Sequence, residues 1–320
     1  MERLTVSIVN YRTPALVAEC VASLKRFPPT GVELDIAVVD NASSDGSLQQ
    51  IAQAHPDIRL LDAGANLGFA GGNNLVLREC SSEWALLLNS DALVLDGTLD
   101  TLLSALRDHP GVGAVSARIV NASDGAEQDF PHRFPTLLEM VRRAVQGPQF
   151  PAIGQTRAVE LERLHGACMM IRGELLHTVG LLDDGFFMYD EDVDWCVRAR
   201  HAGWKLWLVP TSKVLHHGGK SSDRAPSGQR SGREWSDTAV RMRLELRRSR
   251  YRLYRKHRPR WELWALKLMT DLAMLAASIR PALALLSPAR RASGRRMLHA
   301  NAQILALNPF ALERPPHASR

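Results

Sequence analysis

Short apolar runs alternate with amphipathic helical stretches through the first 120 residues, and this alternation constrains the fold most. Each run is rich in leucine or β-branched residues and has the length of a buried strand. The predicted strands are 4–10, 34–40, 57–63, 83–89 and 111–120. The predicted helices between them are 14–27, 46–54, 70–80 and 97–108. This order predicts an α/β fold with a mostly parallel sheet flanked by helices.

Length and composition indicate a globular protein with one large domain and an appendage. The chain has 320 residues, of which 45% are hydrophobic and 23% charged, which is enough apolar material for a sizeable core. The four cysteines lie far apart without a C-x-x-C pair, so we expect neither a disulfide framework nor a zinc site, and a reducing cytoplasmic compartment. The first residues enter a strand-like run at once, so we expect no signal peptide.

Charge is divided unequally along the chain. Residues 1–220 carry 19 Lys and Arg against 27 Asp and Glu, whereas residues 221–320 carry 21 against 7. We therefore predict a catalytic domain at 1–222 and a basic, amphipathic helical C-terminal region at 223–320. Residues 221–232 are expected to form a linker and 121–165 a long loop region. The basic region is expected to meet an anionic partner, a membrane surface or a nucleic acid.

Polar residues follow three of the predicted strands. Asn10 and Tyr11 end the first, Asp40 ends the second, and Asn89 and Asp91 interrupt the apolar run "LLLNSDALVL". Each could simply begin a turn. Ligands of open α/β sheets bind beyond the carboxyl ends of the strands, however, so the endings together favour one shared site. A buried carboxylate such as Asp91 also requires a cation or hydrogen-bond donors.

Two further stretches carry candidate chemistry. "FMYDEDVDWCVRARHAGW" places four carboxylates within five residues, which raises at least one pKa. A helix N-terminus that favours acidic residues explains some of them, with Arg198 and Arg200 as partners. "GANLGFAGGNN" permits close backbone approach to an anion, although it is neither a G-x-G-x-x-G nor a Walker A loop.

The ordered set of motifs resembles a family 2 glycosyltransferase with the GT-A (Rossmann-like) fold, of the rhamnosyltransferase-like group. The resemblance covers roughly residues 4–222. It implies a nucleotide-sugar donor (dTDP- or UDP-linked, with L-rhamnose from dTDP-rhamnose expected), a divalent cation (Mg²⁺ or Mn²⁺) and inversion at the anomeric carbon. The implied acceptor is a cell-surface glycan or a polyprenyl-diphosphate-linked precursor. The motifs are "VSIVNYRT", "AVVDNASSDGS", "NLGFAGGNN", "LLLNSDA", "HGACMMIRG", "FFMYDEDVDWCVRARHAGW" and "VLHHGGKSS".

The same resemblance implies a role for individual residues. Asp192 corresponds to the catalytic base, and Asp91 and His216 to the metal-binding residues. Asn89 stands where the family's D-x-D element has its first Asp; a cation that also binds phosphate oxygens can be held by one carboxylate. The implied donor-binding residues are Asn10, Tyr11, Asp40, Asn66, Gly68, Asn89 and Lys220. The implied acceptor-binding residues are Gly166, Ala167 and Glu191.

The C-terminal region leaves several interpretations open. Within 261–286 the longest charge-free run is eight residues, too short to span a membrane. An interfacial helix at the inner face of the cell membrane is expected; packing on the body or a homo-oligomer is the alternative. For the whole chain, the rivals are a non-catalytic nucleotide-sugar binding protein and a nucleic-acid-binding protein. The acidic body and the lack of a helix-turn-helix or zinc pattern weigh against nucleic acid.

Overall fold

The computed structural model describes residues 1–150, 154–218, 237–288 and 290–312. The strands are β1 (Glu2–Asn10), β2 (Val32–Asp40), β3 (Arg59–Asp62), β4 (Trp84–Leu88), β5 (Ala92–Val94), β6 (Val112–Asn121), β7 (Val159–Glu160), β8 (Cys168–Arg172) and β9 (Lys205–His216). The helices are α1 (Pro14–Arg26), α2 (Ser47–Ala54), α3 (Gly68–Leu77), α4 (Thr98–Arg107), α5 (Leu137–Gln146), α6 (Gly173–Thr178), α7 (Glu191–His201), α8 (Asp237–His257), α9 (Arg260–Ala284) and α10 (Arg291–Leu305).

The strands form one sheet in the order β3-β2-β1-β4-β8-β6-β9-β5, with β7 paired to β9. Strands β3, β2, β1 and β4 are parallel. Strand β8 lies antiparallel between β4 and β6, and β6 is parallel to β9. The predicted α/β fold with flanking helices is confirmed. The sheet is mixed beyond β4, because β8 and β5 run against their neighbours.

Apolar side chains cover both faces of the sheet. Alternate residues of β1, namely Leu4, Val6 and Ile8, are fully buried on the face covered by α1, α2 and α4. The opposite face packs α3, α6 and α7, with Trp195 of α7 almost fully buried. Parallel strands covered on both faces have near-continuous apolar sequences, and their polar groups are left at the strand ends.

The expected loop region 121–165 contains α5 and β7. Thr136 caps α5, because its Oγ1 accepts a hydrogen bond from the Glu139 N–H at 3.0 Å. The spacing Thr-x-x-Glu is a recognised N-terminal signature of a helix, so the sequence did contain this signal. The expected linker 221–232 lies outside the described residues.

The C-terminal region is helical where the structure describes it, as predicted. Helix α8 packs against α7 and against the loop before it, and Tyr251, Leu253 and Tyr254 of α8 are fully buried. Helix α9 contacts α10, α8 and α5. No helix within the described ranges is both long and apolar enough to cross a membrane. The division of the chain at residue 222 stays a prediction.

Candidate active site

The carboxyl ends of β1 and β2 bring Asn10 and Asp40 together. Asn10 Nδ2 donates to Asp40 Oδ1 at 2.6 Å and to Ser43 Oγ at 3.1 Å. Ser43 also donates to Asp40, from Oγ at 2.6 Å and from its backbone N–H at 3.1 Å. Parallel pairing of Asn10 with Asp40 produces this contact. Sequence reasoning therefore placed these two residues correctly at one edge of the sheet.

The glycine-rich loop is fixed by an asparagine at the end of β2. Asn41 accepts from the Leu67 N–H at 2.9 Å and donates to Asn66 Oδ1 at 3.2 Å and to the Gly68 carbonyl at 3.0 Å. Gly68 has φ +72, and a Cβ there would lie 1.9 Å from the Phe187 carbonyl oxygen. A glycine is therefore required at this position by its contact with the loop that precedes α7.

Tyr11 lies at the same edge, partly exposed, with the Arg12 guanidinium 5.2 Å from its ring centroid. Thr13 Oγ1 lies 3.4 Å from Ser90 Oγ, which connects the segment after β1 to the "NSD" element. The predicted donor-binding residues that the structure describes thus lie at one edge of the sheet, where Asn10 is fully buried and Asp40 is 5% exposed. Lys220 lies outside the described residues.

Asp91 and His216 form the second part of the site. Antiparallel pairing of β5 with β9 places Ala92 opposite His216, so Asp91 comes beside the imidazole. Asp91 Oδ1 lies 3.1 Å from His216 Nε2, and Asn89 Nδ2 lies 3.1 Å from the same nitrogen. All three predicted residues therefore converge on one point of the site.

Gln128 fixes the orientation of the His216 ring. Its Nε2 donates to Asn121 Oδ1 at 2.8 Å and to the His216 carbonyl at 2.9 Å, so its Oε1 faces His216 Nδ1 at 2.8 Å. By this hydrogen-bond pattern Nδ1 carries a proton and Nε2 faces Asp91. In metal sites, a hydrogen-bond acceptor on the other ring nitrogen orients an imidazole ligand in this way.

The space between Nε2 and Asp91 suits a positive charge. Burial raises the pKa of Asp91, but the hydrogen bond with His216 and its charge outweigh burial and hold that pKa below its ordinary value. A divalent cation could bind both groups there, since imidazole and carboxylate are both metal ligands. The described part of the chain has no group of three or more His, Cys, Asp or Glu suited to a metal. Asp91 and His216 are two side chains of types that bind cations, and a cation held by few protein groups takes its other ligands from waters or phosphate oxygens.

Asp192 is the second residue of α7 and is only 6% exposed. Its Oδ2 accepts a hydrogen bond from the Gly166 N–H at 3.1 Å. The next residue, Ala167, accepts from the Asn89 N–H at 3.0 Å through its carbonyl oxygen. The dipeptide Gly166–Ala167 thus connects Asp192 to the Asn89–Asp91 element. The Ala167 side chain has no exposed surface, so this residue contributes through its backbone.

The four clustered carboxylates have different surroundings. Burial, followed by the charge of Asp192, raises the pKa of Glu191 well above its ordinary value, and Glu191 Oε2 has no hydrogen-bond partner among the described residues. Burial also acts to raise the pKa of Asp194, but His257, Arg198 and Lys256 lower it to about 2. Of the two expected partners, Arg198 pairs with Asp194 at 2.9 Å, whereas Arg200 is exposed.

Three residues that sequence reasoning missed support this site. Gln128 orients His216, Arg163 places Nη2 4.0 Å from Asp192 Oδ1, and Arg250 forms an ion pair with Asp190 at 2.7 Å. Each is far along the chain from its partner, so no local spacing could have identified it. "LERLHGA" shows only that a basic residue precedes Gly166.

Comparison with known proteins agrees with the family that the sequence motifs indicated. The family model described as "Glycosyl transferase family 2" matches residues 5–180. The N-acetylglucosaminyl-diphospho-decaprenol L-rhamnosyltransferase of Mycobacterium tuberculosis is 31% identical over 245 residues, which are 70% of this chain and 79% of the relative. The low-salt glycan biosynthesis hexosyltransferase Agl10 of Haloferax volcanii is 29% identical over 68% of each chain.

Solved structures share the fold. The mannosyltransferase PcManGT from Pyrobaculum calidifontis, in complex with GDP-Man and Mn²⁺, has a TM-score of 0.53 at 20% identity and covers 95% of this chain and 85% of its own. GalNAc-T7 with UDP, GalNAc and Mn²⁺ has a TM-score of 0.54 at 14% identity, over 78% of this chain and 47% of its own. At these identities the similarity establishes the architecture alone.

Proposed function

Because the chain belongs to glycosyl transferase family 2, we propose that it transfers L-rhamnose from dTDP-rhamnose to a lipid-linked glycan precursor, with inversion. The observation that carries the proposal is the position of Asp192. This buried carboxylate is joined through Gly166 and Ala167 to the element that contains Asp91. A base and a diphosphate site held at a fixed separation are what a single displacement at an anomeric carbon requires.

In the proposed reaction Asp192 acts as general base. The acceptor oxygen bonds to C1 of the sugar while its proton passes to Asp192, and the C1–O bond to the diphosphate breaks with its electron pair remaining on the nucleoside diphosphate. Attack opposite the leaving group inverts C1. The Gly166 N–H orients the Asp192 carboxylate, and a positioned base of this kind contributes about 10²- to 10⁴-fold to the rate.

Glu191 supports this assignment. Its raised pKa favours the neutral acid beside Asp192, so Asp192 does not share the site with a second negative charge. We propose that Glu191 contacts the acceptor, because its Oε2 is buried and has no partner among the described residues. A protonated carboxyl can donate a hydrogen bond to an acceptor oxygen. Gly166 is proposed to lie at the acceptor side through its backbone; a Cβ there would lie 3.0 Å from the Phe69 ring, so the glycine permits close packing against Phe69.

We propose that Asp91 and His216 hold Mg²⁺ or Mn²⁺. The cation would supply positive charge to the diphosphate leaving group, so no second acid is needed to protonate it. Both structural neighbours are complexes with Mn²⁺. Asn89 is expected to orient the donor through its amide, and Lys220 to contact its phosphates. The remaining proposed donor contacts come from the edge formed by Asn10, Tyr11, Asp40, Asn66 and Gly68.

We further propose that α9 rests on an anionic membrane surface. Its exposed apolar side chains recur every three or four residues and form one face, the α9 face. These are Trp261, Trp264, Leu268, Leu272, Leu275, Ile279 and Leu283, each at least 55% exposed. Exposed arginines at Arg280, Arg290, Arg291 and Arg295 lie at the end of α9 and on the following turn and helix. Interfacial helices typically bury an apolar face in the membrane while their basic side chains are attracted to anionic lipid.

The deciding experiment screens nucleotide sugars by thermal shift with Mg²⁺ and Mn²⁺, followed by transfer assays with the ligands that bind. A donor at 100 times its dissociation constant should add about 2.7 kcal/mol to the free energy of unfolding. We expect dTDP-rhamnose with metal to give the largest shift, and the product to have the inverted anomeric configuration by NMR. Binding without transfer or donor hydrolysis would instead identify a nucleotide-sugar binding protein.

A further inference from the structure

A cavity of about 50 Å³ lies beside the proposed base, bordered by β6, by residues 127–132 and by residues 161–165. We call it the β6 cavity. Its walls include Arg118, His132 and Arg163. The volume is enough for several water molecules, or for one small polar group of a larger ligand. None of the described residues assigned above to donor or metal binding lines it.

Hydrogen-bond donors at this cavity lack partners. Arg118 Nε, His132 Nδ1 and Arg163 Nε are all buried, and none has a hydrogen-bond partner among the described residues. Arg163 is 8% exposed as a whole, and its Nη2 is 4.0 Å from Asp192 Oδ1, beyond hydrogen-bond distance. Buried polar groups are nearly always satisfied, so the unpartnered Nε–H donors of Arg118 and Arg163 indicate a missing acceptor of hydrogen bonds. His132 Nδ1 can donate to the same acceptor in one of its tautomers.

The surroundings of the cavity favour an anion. Burial lowers the pKa of His132, and the charges of Arg133, Arg142 and Arg143 lower it further, against the opposing effect of Glu139. The arginine charges around His132 therefore outweigh the charge of Glu139. Glu127 also lines the cavity, but it is paired with Arg118 Nη2 at 2.9 Å. Arginine guanidinium groups are well suited to bind phosphate.

The β6 cavity lies beside residues of the proposed reaction. Arg163 lines the cavity and also approaches Asp192. Phe130, another wall residue, stacks on His165 with ring centroids 3.8 Å apart and lies 6.3 Å from the His216 ring. The cavity is thus next to both the base and the metal residues. Arg163 therefore connects the cavity to the carboxylate that is proposed to receive the acceptor proton.

We propose that the β6 cavity is an acceptor subsite that binds a phosphate group of a glycosyl diphosphate, through Arg163, Arg118 and His132. This inference rests on the proposed function, because it assigns the substrate class of that same site. It explains why a buried arginine lies near Asp192 without a hydrogen bond to it. The acceptor phosphate would be the hydrogen-bond partner of the three nitrogens.

Two matched acceptors test the subsite in steady-state transfer assays with the full-length protein. One is N-acetylglucosaminyl diphosphate with a short alkyl chain, and the other is the alkyl glycoside of the same sugar without phosphate. The Arg163→Gln variant should raise KM for the diphosphate acceptor at least tenfold and KM for the neutral acceptor less than threefold. Arg118→Gln should act in the same direction, and Arg59→Gln, on a distant surface, should change neither.

A binding measurement without turnover complements these assays. The pKa of His132 is followed by NMR in metal-free protein, with His132→Gln to assign its signal, and methyl phosphate as the probe. An anion in the cavity should raise the pKa of His132, because it adds negative charge beside the ring. A rise seen only with phosphatidylglycerol vesicles would assign the cavity to lipid headgroups and overturn the acceptor assignment.

The outcomes separate this inference from the proposed function. If transfer proceeds but Arg163→Gln raises both KM values equally and methyl phosphate leaves His132 unchanged, the subsite is wrong and the glycosyltransferase stands. If no nucleotide sugar binds or is hydrolysed, the proposed function is wrong. The response of His132 to methyl phosphate would then still decide whether the cavity binds phosphate.

Discussion

Arg250 of α8 forms a two-point salt bridge with Asp190, the residue that precedes the helix of the proposed base. Nε lies 2.7 Å from Oδ2, and Nη2 lies 3.0 Å from Oδ1. Tyr189 and Asp190 both have left-handed backbones, with φ of 71° and 64°, which costs about 1–2 kcal/mol per residue. Helix α8 therefore stabilises a strained turn that determines where Asp192 points.

The Arg250→Met variant should unfold more easily and catalyse more slowly. Asp190 is 4% exposed as a side chain, so loss of its partner leaves a buried charge unpaired, which costs about 3–5 kcal/mol. Chemical denaturation measures the loss. The double variant Arg250→Met with Asp190→Asn should recover much of it, because no charge is left unpaired.

Arg248→Met is the matched control. Arg248 lies on the same helix, is 44% exposed and pairs with Glu245, so its loss should cost under about 1 kcal/mol. Equal stability of the Arg250→Met and Arg248→Met variants would contradict the role assigned to α8.

Protonation of Asp194 should destabilise the protein in acid. Its pKa in the folded protein is about 2, below the ordinary value of 3.8. The associated stability is present above the unfolded pKa and is lost as the pH falls from about 4 to about 2. It amounts to about 2 kcal/mol.

Denaturation of wild type and Asp194→Asn at pH 6 and at pH 2.5 tests this expectation. The wild type should lose about 2 kcal/mol more than the variant between these values. The Asn variant isolates the effect, because every other carboxylate remains. An identical acid loss in both proteins would show that Asp194 is not held ionised by His257, Lys256 and Arg198.

Gln128→Leu should weaken metal binding although Gln128 is not a proposed ligand. Without Gln128 Oε1 the His216 ring loses its Nδ1 partner at 2.8 Å, and such losses cost about 10- to 100-fold in metal affinity. Calorimetry with Mn²⁺ and nucleotide measures the change. Gln128→Glu, which keeps an oxygen facing Nδ1, should retain more affinity. Unchanged affinity in the Leu variant would remove Gln128 from the metal site.

The α9 face should bind vesicles that contain phosphatidylglycerol. Replacing Leu272, Leu275 and Ile279 with Gln should lower vesicle binding at least tenfold in sedimentation assays, since each buried side chain contributes about 1.5–3 kcal/mol. Replacing the same three residues with Met keeps the face apolar and should preserve binding. If the full-length protein does not bind vesicles at low salt, and the wild type is a dimer whereas the Gln variant is a monomer, the α9 face is a contact between copies.

The parts of this molecule that sequence could predict are those specified locally. Apolar runs identified β1, β2 and β4, and because parallel strands end at one edge, Asn10 and Asp40 were expected to meet there. Helix α5 was missed although its N-terminal signal was present, and its apolar residues are divided: Leu137 and Met140 pack on α8 and α9, while Leu138 is 77% and Val145 80% exposed. The Arg250–Asp190 and Gln128–His216 contacts join residues 60 and 88 positions apart. No period or spacing encodes such pairs.

The Asp192→Asn variant tests whether Asp192 is the base of the transfer reaction. Asn keeps the shape of the side chain and can still accept a hydrogen bond from the Gly166 N–H, but it cannot take a proton from an acceptor. We predict that calorimetry will give a donor dissociation constant within about threefold of wild type, while transfer falls at least about 100-fold. Near-normal transfer by this variant, with donor affinity unchanged, would contradict the assignment of Asp192 as the base.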